Sequence, residues 1–341
     1  MDEELLETES HGLEITSAVL HVLDGNHHNL IYSEETLDLE EPTVSAYVTR
    51  HISRMRKDIR LSPGTFNEGS SFRELAGKYF HHELSLIEFS HQALESFGTY
   101  LSEEEPGSFD VLFADYRFDD VPYIGILLLE GKPAVTHMTD VTENGIINTI
   151  SAGSAVLPPS TAKLHSFAVV NLLSYEIEYV DDTKWNHGIS VINEKILDST
   201  GGISKKEIVE TVKMITEEVA EEYEESPVIL MSKVKNYIAS NVSEGLPVST
   251  SELAEEVFDA RPEMKQAFLK RTEEHQLPEE TELPKASVSR TMRYQRIRTD
   301  TGIELVFPTE YFANTQYIEF VNHPDGTISI EIRNIGRISN R

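Results

Sequence analysis

Basic side chains gather in three short segments of an acidic sequence, and the first segment lies between positions 50 and 60. It has one acid, Asp58, and its cations are Arg50, Arg54, Arg56, Lys57 and Arg60. Lys and Arg neutralise backbone phosphates when a protein binds nucleic acid, so these cations are a candidate phosphate contact. On a helix, Arg50, Arg54 and Lys57 would form one stripe. Alternatively, the cations are the polar face of an amphipathic helix and pair with acids at 34–41.

The second segment has no acid from 285 to 298. Its cations are Lys285, Arg290, Arg293, Arg296 and Arg298. In a strand, Arg290, Tyr294, Arg296 and Arg298 would share one face, and Arg293 would lie on the other. We expect this face to contact a polyanion or an acidic partner. A basic tail of Arg333, Arg337 and Arg341 could extend it.

Residue patterns typical of enzymes are weak. His81, His82 and His91 lie near Glu83 and Glu88, but the zinc-binding spacing His-Glu-x-x-His is missing. A phosphate-binding glycine loop and a Gly-x-Ser-x-Gly elbow are missing as well. We therefore predict no catalytic residue, no metal site and no cofactor. A metal-dependent enzyme built on the three histidines is the alternative hypothesis.

The whole chain carries a formal net charge of −30, from 59 acidic and 29 basic residues. A charge of this sign repels duplex DNA at long range, which argues against a simple DNA-binding protein. At physiological salt, screening limits that repulsion to about 8–10 Å, so a local cluster of arginines still attracts phosphate at contact. The distribution of the cations therefore matters more than the total.

Three further features concern the compartment. The chain has no cysteine, so disulfides and thiolate metal sites are excluded. It begins Met-Asp-Glu-Glu, the reverse of the basic start of a signal peptide, and it has no apolar run long enough for a bilayer. These features predict a cytoplasmic protein with no membrane segment.

The first 200 residues predict an α+β domain. Alternating apolar residues favour a strand at 13–23, a turn at Asp24-Gly25-Asn26 and a second strand near 30–33. Apolar spacing from Val44 to Ile59 predicts an amphipathic helix that begins at Pro42 and is ended by Ser62-Pro63-Gly64.

Capping-box spacing at Ser71 and Glu74 predicts the start of a further helical stretch. This stretch continues, with a break, to about position 101. Strands at 109–117, 121–130, 134–139, 145–151 and 163–180 would then form an antiparallel meander, because the loops between them are too short for crossover helices.

The sequence pattern of residues 201–341 predicts a second, helical domain that ends in a small antiparallel sheet. Capping-box spacing at Ser204 and Ser249, and prolines at Pro227 and Pro262, mark the starts of four helices. The last three have lengths that fit a helix-turn-helix, and strands at 288–298, 303–307, 317–322 and 327–333 could form its wing. The acidic run at 217–225 is a solvated helix face, a protein-interaction surface or a mimic of DNA charge.

Several strand segments resemble the bacterial nucleoid-associated protein family known as NdpA or YejK. Residues 111–130 are similar to its central strands, with Val-Leu-Phe-Ala-Asp-Tyr-Arg-Phe followed by Tyr-Ile-Gly-Ile-Leu-Leu-Leu-Glu. The segments Leu305–Phe307, Tyr311-Phe312, Tyr317–Phe320 and Asp325–Ile330 resemble its terminal β-segment. The segment from Ile15 to Val22 fits the same order, so the resemblance covers nearly the whole chain.

The resemblance implies a non-catalytic protein that co-localises with the nucleoid, binds DNA, forms a dimer and influences topoisomerase activity. Members often carry a basic Phe-Leu-Lys-Gly-Arg-like segment after the mid-chain tryptophan. Here Trp185 precedes Asn-His-Gly-Ile, so that cationic segment is missing.

Two hypotheses follow. In the first, a homodimer binds double-stranded DNA without sequence preference, through the clustered arginines. In the second, an acidic adaptor binds a DNA-processing partner such as a topoisomerase and does not contact DNA itself.

Overall fold

A computed structural model describes residues 12–24, 29–95, 97, 109–132, 135–142, 145–152, 156–182, 188, 190–285, 294–311, 316–323 and 327–337. The chain divides into two compact units, Met1–Ile203 and Ser204–Arg341. The division into the two predicted domains, 1–200 and 201–341, stays a prediction.

An eight-stranded sheet forms the first unit, and all of its strand pairs are antiparallel. In chain order its strands are β1 (Leu13–Asp24), β2 (Asn29–Ile31), β3 (Ser62–Phe66), β4 (Phe109–Phe118), β5 (Val121–Glu130), β8 (Ser166–Asn171), β9 (Ile177–Asp181) and β10 (Ser199–Gly201). The spatial order is β10-β3-β9-β8-β5-β4-β1-β2. The predicted antiparallel sheet is confirmed. A separate hairpin consists of β6 (Val135–Thr142) and β7 (Gly145–Ala152).

Helices cover both faces of the sheet. Helix α1 (Pro42–Met55) packs through Val48, Ile52 and Met55 on one face. Helices α2 (Ser71–Phe80) and α3 (Leu86–Ala93) and a π-helical turn (Val191–Ile196) cover the other. Because the central strands are buried on both sides, β5 is apolar without a break from Ile124 to Leu129.

Several details of the first unit differ from the predictions. The single strand predicted at 163–180 is two strands, β8 and β9, and the strands predicted at 134–139 and 145–151 form the separate β6–β7 hairpin and not part of one meander. Helix α1 ends at Met55, before Ile59, because the next amides bond three residues back, Lys57 to Arg54 and Asp58 to Met55. The segment Ser62–Gly64, predicted to be a turn, pairs with Ile177–Tyr179 of β9. The α2 cap is Ser70, whose side chain accepts from the amide of Arg73, and not Ser71.

The second unit contains the four predicted helices. They are α4 (Lys205–Glu222), α5 (Pro227–Glu244), α6 (Thr250–Val257) and α7 (Pro262–Glu274). Ser204 and Glu207 form both bonds of the predicted capping box, and Gly245 ends α5 in the left-handed conformation at φ 77°. Apolar residues of all four helices, including Val219, Val234, Leu253 and Phe268, form one core.

The predicted small antiparallel sheet of the second unit consists of separate two-stranded ribbons. Short strands β11 (Val248–Ser249) and β12 (Glu280–Thr281) pair beside α6. Strand β13 (Tyr294–Arg298) pairs with β14 (Glu304–Pro308), and β15 (Ile318–Asn322) with β16 (Ile328–Ile332). The turn predicted at Pro324-Asp325-Gly326 lies outside the described residues, as do the turn after Asp24 and Trp185.

Candidate nucleic-acid interface

Three cations of the first segment contact their own unit. The Arg54 guanidinium donates to the carbonyl oxygens of Ser160 and Ala162, the second at 3.1 Å. Arg60 binds the Asp58 carboxylate with an Nη2–Oδ2 distance of 2.6 Å and donates to the Leu164 carbonyl at 3.0 Å. Both arginines therefore fasten the loop at 160–164 to the end of α1.

Arg56 lies over aromatic rings. Its guanidinium carbon is 4.6 Å from the ring centre of Tyr123 and 3.9 Å from that of Phe118. Its Nη1 donates to the Tyr116 hydroxyl at 3.3 Å. These contacts are cation–π interactions that hold Arg56 against the sheet.

The remaining cations of this segment do not form the predicted stripe. Arg50 is exposed on α1, whereas Lys57 lies beyond the end of the helix and is partly buried. Arg50 is therefore the cation of the first segment that is most available to a partner.

Two arginines of the second segment share one exposed face of β13. Tyr294, Arg296 and Arg298 are exposed at alternate positions, and Gln295 between them is buried. Across the ribbon, Arg296 faces Val306 and Arg298 faces Glu304. In the part of the chain that the structure describes, no carboxylate lies within 4.0 Å of either guanidinium. We call Tyr294, Arg296 and Arg298 the β13 strip.

The structure places the other predicted cations in different settings. Lys285 is exposed just after β12, and Arg337 is exposed near the end of the chain. Arg333 pairs with Glu319 and with Glu331, the second at 2.7 Å. Arg290, Arg293 and Arg341 lie outside the described residues.

Helices α6 and α7 belong to the predicted helix-turn-helix; they pack against each other and are joined by a short turn at Phe258–Arg261. The cations of α7 are engaged, however. Lys265 pairs with Glu255 and Lys270 with Glu274, while Arg271 reaches Glu218 and Glu222 of the acidic run. Arg261 in the turn pairs with Glu225 and Glu263. A recognition helix needs free donors for base edges, and α7 does not offer charged ones.

The histidines have structural contacts. His81 and His82 form the turn after α2, where His82 has a φ of 59°. His91 on α3 contacts the Ser33 carbonyl oxygen through Nε2 at 2.9 Å and packs on Tyr32. Across the described residues, no group of three His, Asp or Glu side chains could hold a metal ion.

Buried carboxylates sit among hydrogen-bond donors. Asp181 accepts from the amide of Asn193 and from the Ser166 hydroxyl, both at 3.1 Å. Burial nevertheless raises the pKa of Asp181 to about 6. Asp115 accepts from the Tyr79 hydroxyl at 2.5 Å, and burial raises its pKa as well. The bonds from Asn193 and Tyr79 connect strands to helical segments, whereas the bond from Ser166 joins β8 to β9.

A small cavity beside α1 was not expected from the sequence. It has a volume of about 180 Å³, and its walls include His51, Arg54, Arg60 and Lys163. His51 is buried among the basic residues of the first segment. It lies on the apolar stripe of the predicted helix, three residues before Arg54, and this position could have indicated its burial. Lys163 belongs to a distant loop and had no such signal.

Comparison with known proteins shows to which family the chain belongs. Among the described residues, no helix is both long and apolar enough to cross a membrane. No curated protein matches the chain. Residues 19–338 match the family described as nucleoid-associated protein YejK, which is nearly the full length of 341 residues. Most of the strand segments that resembled this family lie in β1, β4, β5 and β14–β16. The chain therefore belongs to the family of the nucleoid-associated protein YejK.

Proposed function

We propose that this protein binds double-stranded DNA weakly and without sequence preference, through phosphate contacts made by the β13 strip. Membership of the family supports the general nucleoid-associated role and a location at the nucleoid, and proteins of this kind are generally not enzymes. The observation that carries the proposal is the exposure of Arg296 and Arg298 on one face beside Tyr294.

The β13 strip has the chemistry that duplex phosphates need. Two guanidinium groups at alternate strand positions lie about 7 Å apart along the strand, close to the spacing of successive phosphates. Tyr294 adds a hydroxyl donor beside them. Arg50, Lys285 and Arg337 are further exposed cations. Arg290 and Arg293 precede the strip directly in the sequence and would add charge to it.

Cations that are already engaged contribute less. Arg54, Arg56, Arg60 and Arg333 each have a contact within their own unit. Releasing one of them to bind a phosphate would forfeit that contact. We therefore assign them to the stability of the fold and leave the DNA contact to Arg296 and Arg298, which are exposed and form no ion pair among the described residues.

A homodimer would raise the affinity of such a small patch, because two linked patches bind with an increased effective concentration. The β6–β7 hairpin supports this part of the proposal. Its side chains Val135, Ile146 and Ile150 are 78%, 69% and 82% exposed. A two-stranded hairpin with exposed apolar residues gains stability when a second chain covers it. Sedimentation of the purified protein tests the dimer.

The proposal is tested by fluorescence anisotropy with a labelled duplex of random sequence near physiological salt. We expect a dissociation constant in the micromolar range that weakens steeply with added salt, as phosphate-led binding does. An absence of binding at tens of micromolar protein would contradict direct DNA binding.

The paired cations of α7 favour a second candidate, an acidic adaptor that reaches the nucleoid through a DNA-processing protein such as a topoisomerase. Three acids and three cations leave α7 with no net charge, and Glu217, Glu221 and Glu224 remain exposed on or next to α4. An acidic face of this kind fits a basic partner surface. If the protein is such an adaptor, replacing Arg296 and Arg298 by alanine would leave its localisation to the nucleoid unchanged.

A further inference from the structure

The β6–β7 hairpin is exposed on both of its faces. Its strands have eight residues each, and among the described residues they pair only with each other. Every side chain that the structure describes in these strands is exposed, apart from that of Ser151. A two-stranded hairpin is only marginally stable in water unless further strands or a helix cover it. The hairpin therefore needs a partner.

One face of the hairpin is apolar. Alternate residues of a strand share a face, and residues paired across two strands share it too. Ile146 and Ile150 therefore lie on the same face as Val135, because Ile150 pairs with His137. These three are the most exposed large apolar side chains in the part of the chain that the structure describes. Apolar side chains grouped in this way mark an interaction surface.

The free edge of β7 lacks the residues that normally prevent strand pairing. Natural edge strands often contain lysine, other charged residues or proline for this purpose. The sequence of β7, Gly-Ile-Ile-Asn-Thr-Ile-Ser-Ala, contains none of them, although 26% of the whole chain is charged. The centres of protein interfaces are depleted in charge in the same way. Strand β7 therefore presents an edge to which another strand can be added.

The charge of the chain indicates what that other strand is. A nucleic acid or a basic protein would need charged side chains to bind, and β6 and β7 together have one charged residue, Asp140. Two copies of a chain with a net charge of −30 repel each other, so they can associate most readily where charge is absent. A second β7 strand has the matching length and composition.

We propose that β7 pairs antiparallel with β7 of a second copy of the chain, about a two-fold axis, and that the two hairpins form one four-stranded sheet. This inference rests on the homodimer of the proposed function and assigns its interface. Strand β6 would then form both outer edges of the sheet. Asp140 in β6 disfavours the addition of further strands, so assembly stops at the dimer.

The positions of the isoleucines select the register. With the two-fold axis at Asn148, Ile146 lies opposite Ile150 of the partner subunit, and the reverse pair forms as well. The two apolar faces then lie on the same side of the sheet, and nearly all of β7 is paired. Cross-strand pairs of β-branched residues are favourable, so this register is preferred over those that leave the isoleucines unpaired.

Sedimentation equilibrium of the full-length protein tests the interface. We expect a dissociation constant in the micromolar range, because strand pairing buries less area than an interface of standard size. Ile150→Lys should weaken the dimer by at least about ten-fold, since it places a charge opposite an isoleucine. Ile332→Lys is the matched control, because Ile332 is also an exposed isoleucine of a two-stranded ribbon. A monomeric wild type, or an undiminished dimer in Ile150→Lys, would overturn the proposal.

Crosslinking tests the register, because the chain has no cysteine of its own. Asn148→Cys and Thr139→Cys change paired residues on one face, and both variants lose the same 2.8 Å hydrogen bond between these side chains. In the four-stranded sheet the two copies of position 148 are about 5 Å apart and those of position 139 about 14 Å apart, so a bismaleimide that spans about 8 Å joins only the first pair.

We expect crosslinked dimers from Asn148→Cys and none from Thr139→Cys. Crosslinking at position 139, or at neither position, in protein that sediments as a dimer would overturn the register and leave the homodimer standing. Duplex binding is measured separately by anisotropy. A protein that crosslinks at position 148 but does not bind the duplex would contradict the proposed DNA contact and not this interface.

Discussion

The guanidinium carbon of Arg56 lies 3.9 Å from the centre of the Phe118 ring. Tyr116 and Tyr123, which are paired neighbours on β4 and β5, complete an aromatic surface under the same cation. Arg56 thus lies against the central strands, although its sequence neighbourhood indicates a phosphate contact. The position of one cation in a basic segment does not show whether it faces a ligand or its own fold.

We expect Arg56→Ala to lower the free energy of unfolding by about 1–2 kcal/mol, because the variant loses the cation–π contacts and the packing of the side-chain stem. Urea denaturation measures this change. Arg50→Ala is the control, since Arg50 is exposed, and its effect on stability should stay within about 0.5 kcal/mol. Equal stability losses in the two variants would contradict the role of the aromatic surface.

The salt dependence of duplex binding should reveal the β13 strip. Each phosphate contact contributes roughly 0.9 to the slope of log affinity against log salt, so Arg296→Ala with Arg298→Ala should lower the slope by about 2. Anisotropy titrations at four salt concentrations measure it. Arg333→Ala removes a cation that is paired with Glu319 and Glu331, and should leave the slope unchanged. If the double variant keeps the wild-type slope, the β13 strip does not contact DNA phosphates.

His21 makes stability depend on pH. The Ser33 amide donates to its Nδ1 at 3.1 Å, so Nε2 carries the hydrogen and donates to the Ser90 hydroxyl at 2.9 Å. Burial, with a smaller effect of His91, lowers the pKa of His21 from 6.5 to about 4. Between these two values the unfolded chain binds a proton that the folded chain does not, so stability falls as the pH drops from 6.5 to 4.

The raised pKa values of Asp115 and Asp181 act in the opposite direction over part of this range, so a variant must isolate the histidine. We expect His21→Asn to be less stable than the wild type at pH 7.5, because it disturbs the buried bonds to Ser33 and Ser90. We expect that difference in unfolding free energy to narrow by about 2 kcal/mol at pH 4.5, because the variant cannot be protonated there. Denaturant unfolding at both pH values measures the difference. A constant difference would show that His21 does not titrate in this way.

Local signals in the sequence predicted most of the fold. Ser204 and Glu207 lie three residues apart and form both bonds of their capping box. Asp119 and Asp120 form the turn between β4 and β5 with φ values of 48° and 64°, which is a conformation that aspartate tolerates. In these cases the interacting residues are neighbours in the chain, so the sequence pattern contains the whole interaction.

The features that the sequence did not predict depend on contacts between residues that are far apart in the chain. Ser62–Gly64 forms a strand because β9, more than a hundred residues later, offers it a pairing edge. Arg271 on α7 is neutralised by Glu218 and Glu222, which are distant in sequence. The availability of each arginine likewise depends on partners from other elements. Sequence reasoning therefore identified the basic segments but not which of their cations remain exposed.

Gly125 gives the last prediction, because α1 packs closely over it. A Cβ atom at this position would lie 2.9 Å from Ile52 Cδ1 and 3.0 Å from Met55 Cε. Both side chains are almost completely buried, so they cannot move aside freely. We expect Gly125→Ala to lower the free energy of unfolding by about 1–3 kcal/mol through overpacking. Gly336→Ala, at a position with open space, is the control.

A double variant shows whether Ile52 causes this cost. Ile52→Val removes the Cδ1 atom and alone should destabilise the protein by about 0.5–1.5 kcal/mol. When Gly125→Ala is present as well, the new methyl group occupies space that Cδ1 has left. The loss in the double variant should then be smaller than the sum of the two single losses, by at least about 0.5 kcal/mol. Additive losses in urea denaturation would mean that the close approach of α1 to β5 does not limit the residue at position 125.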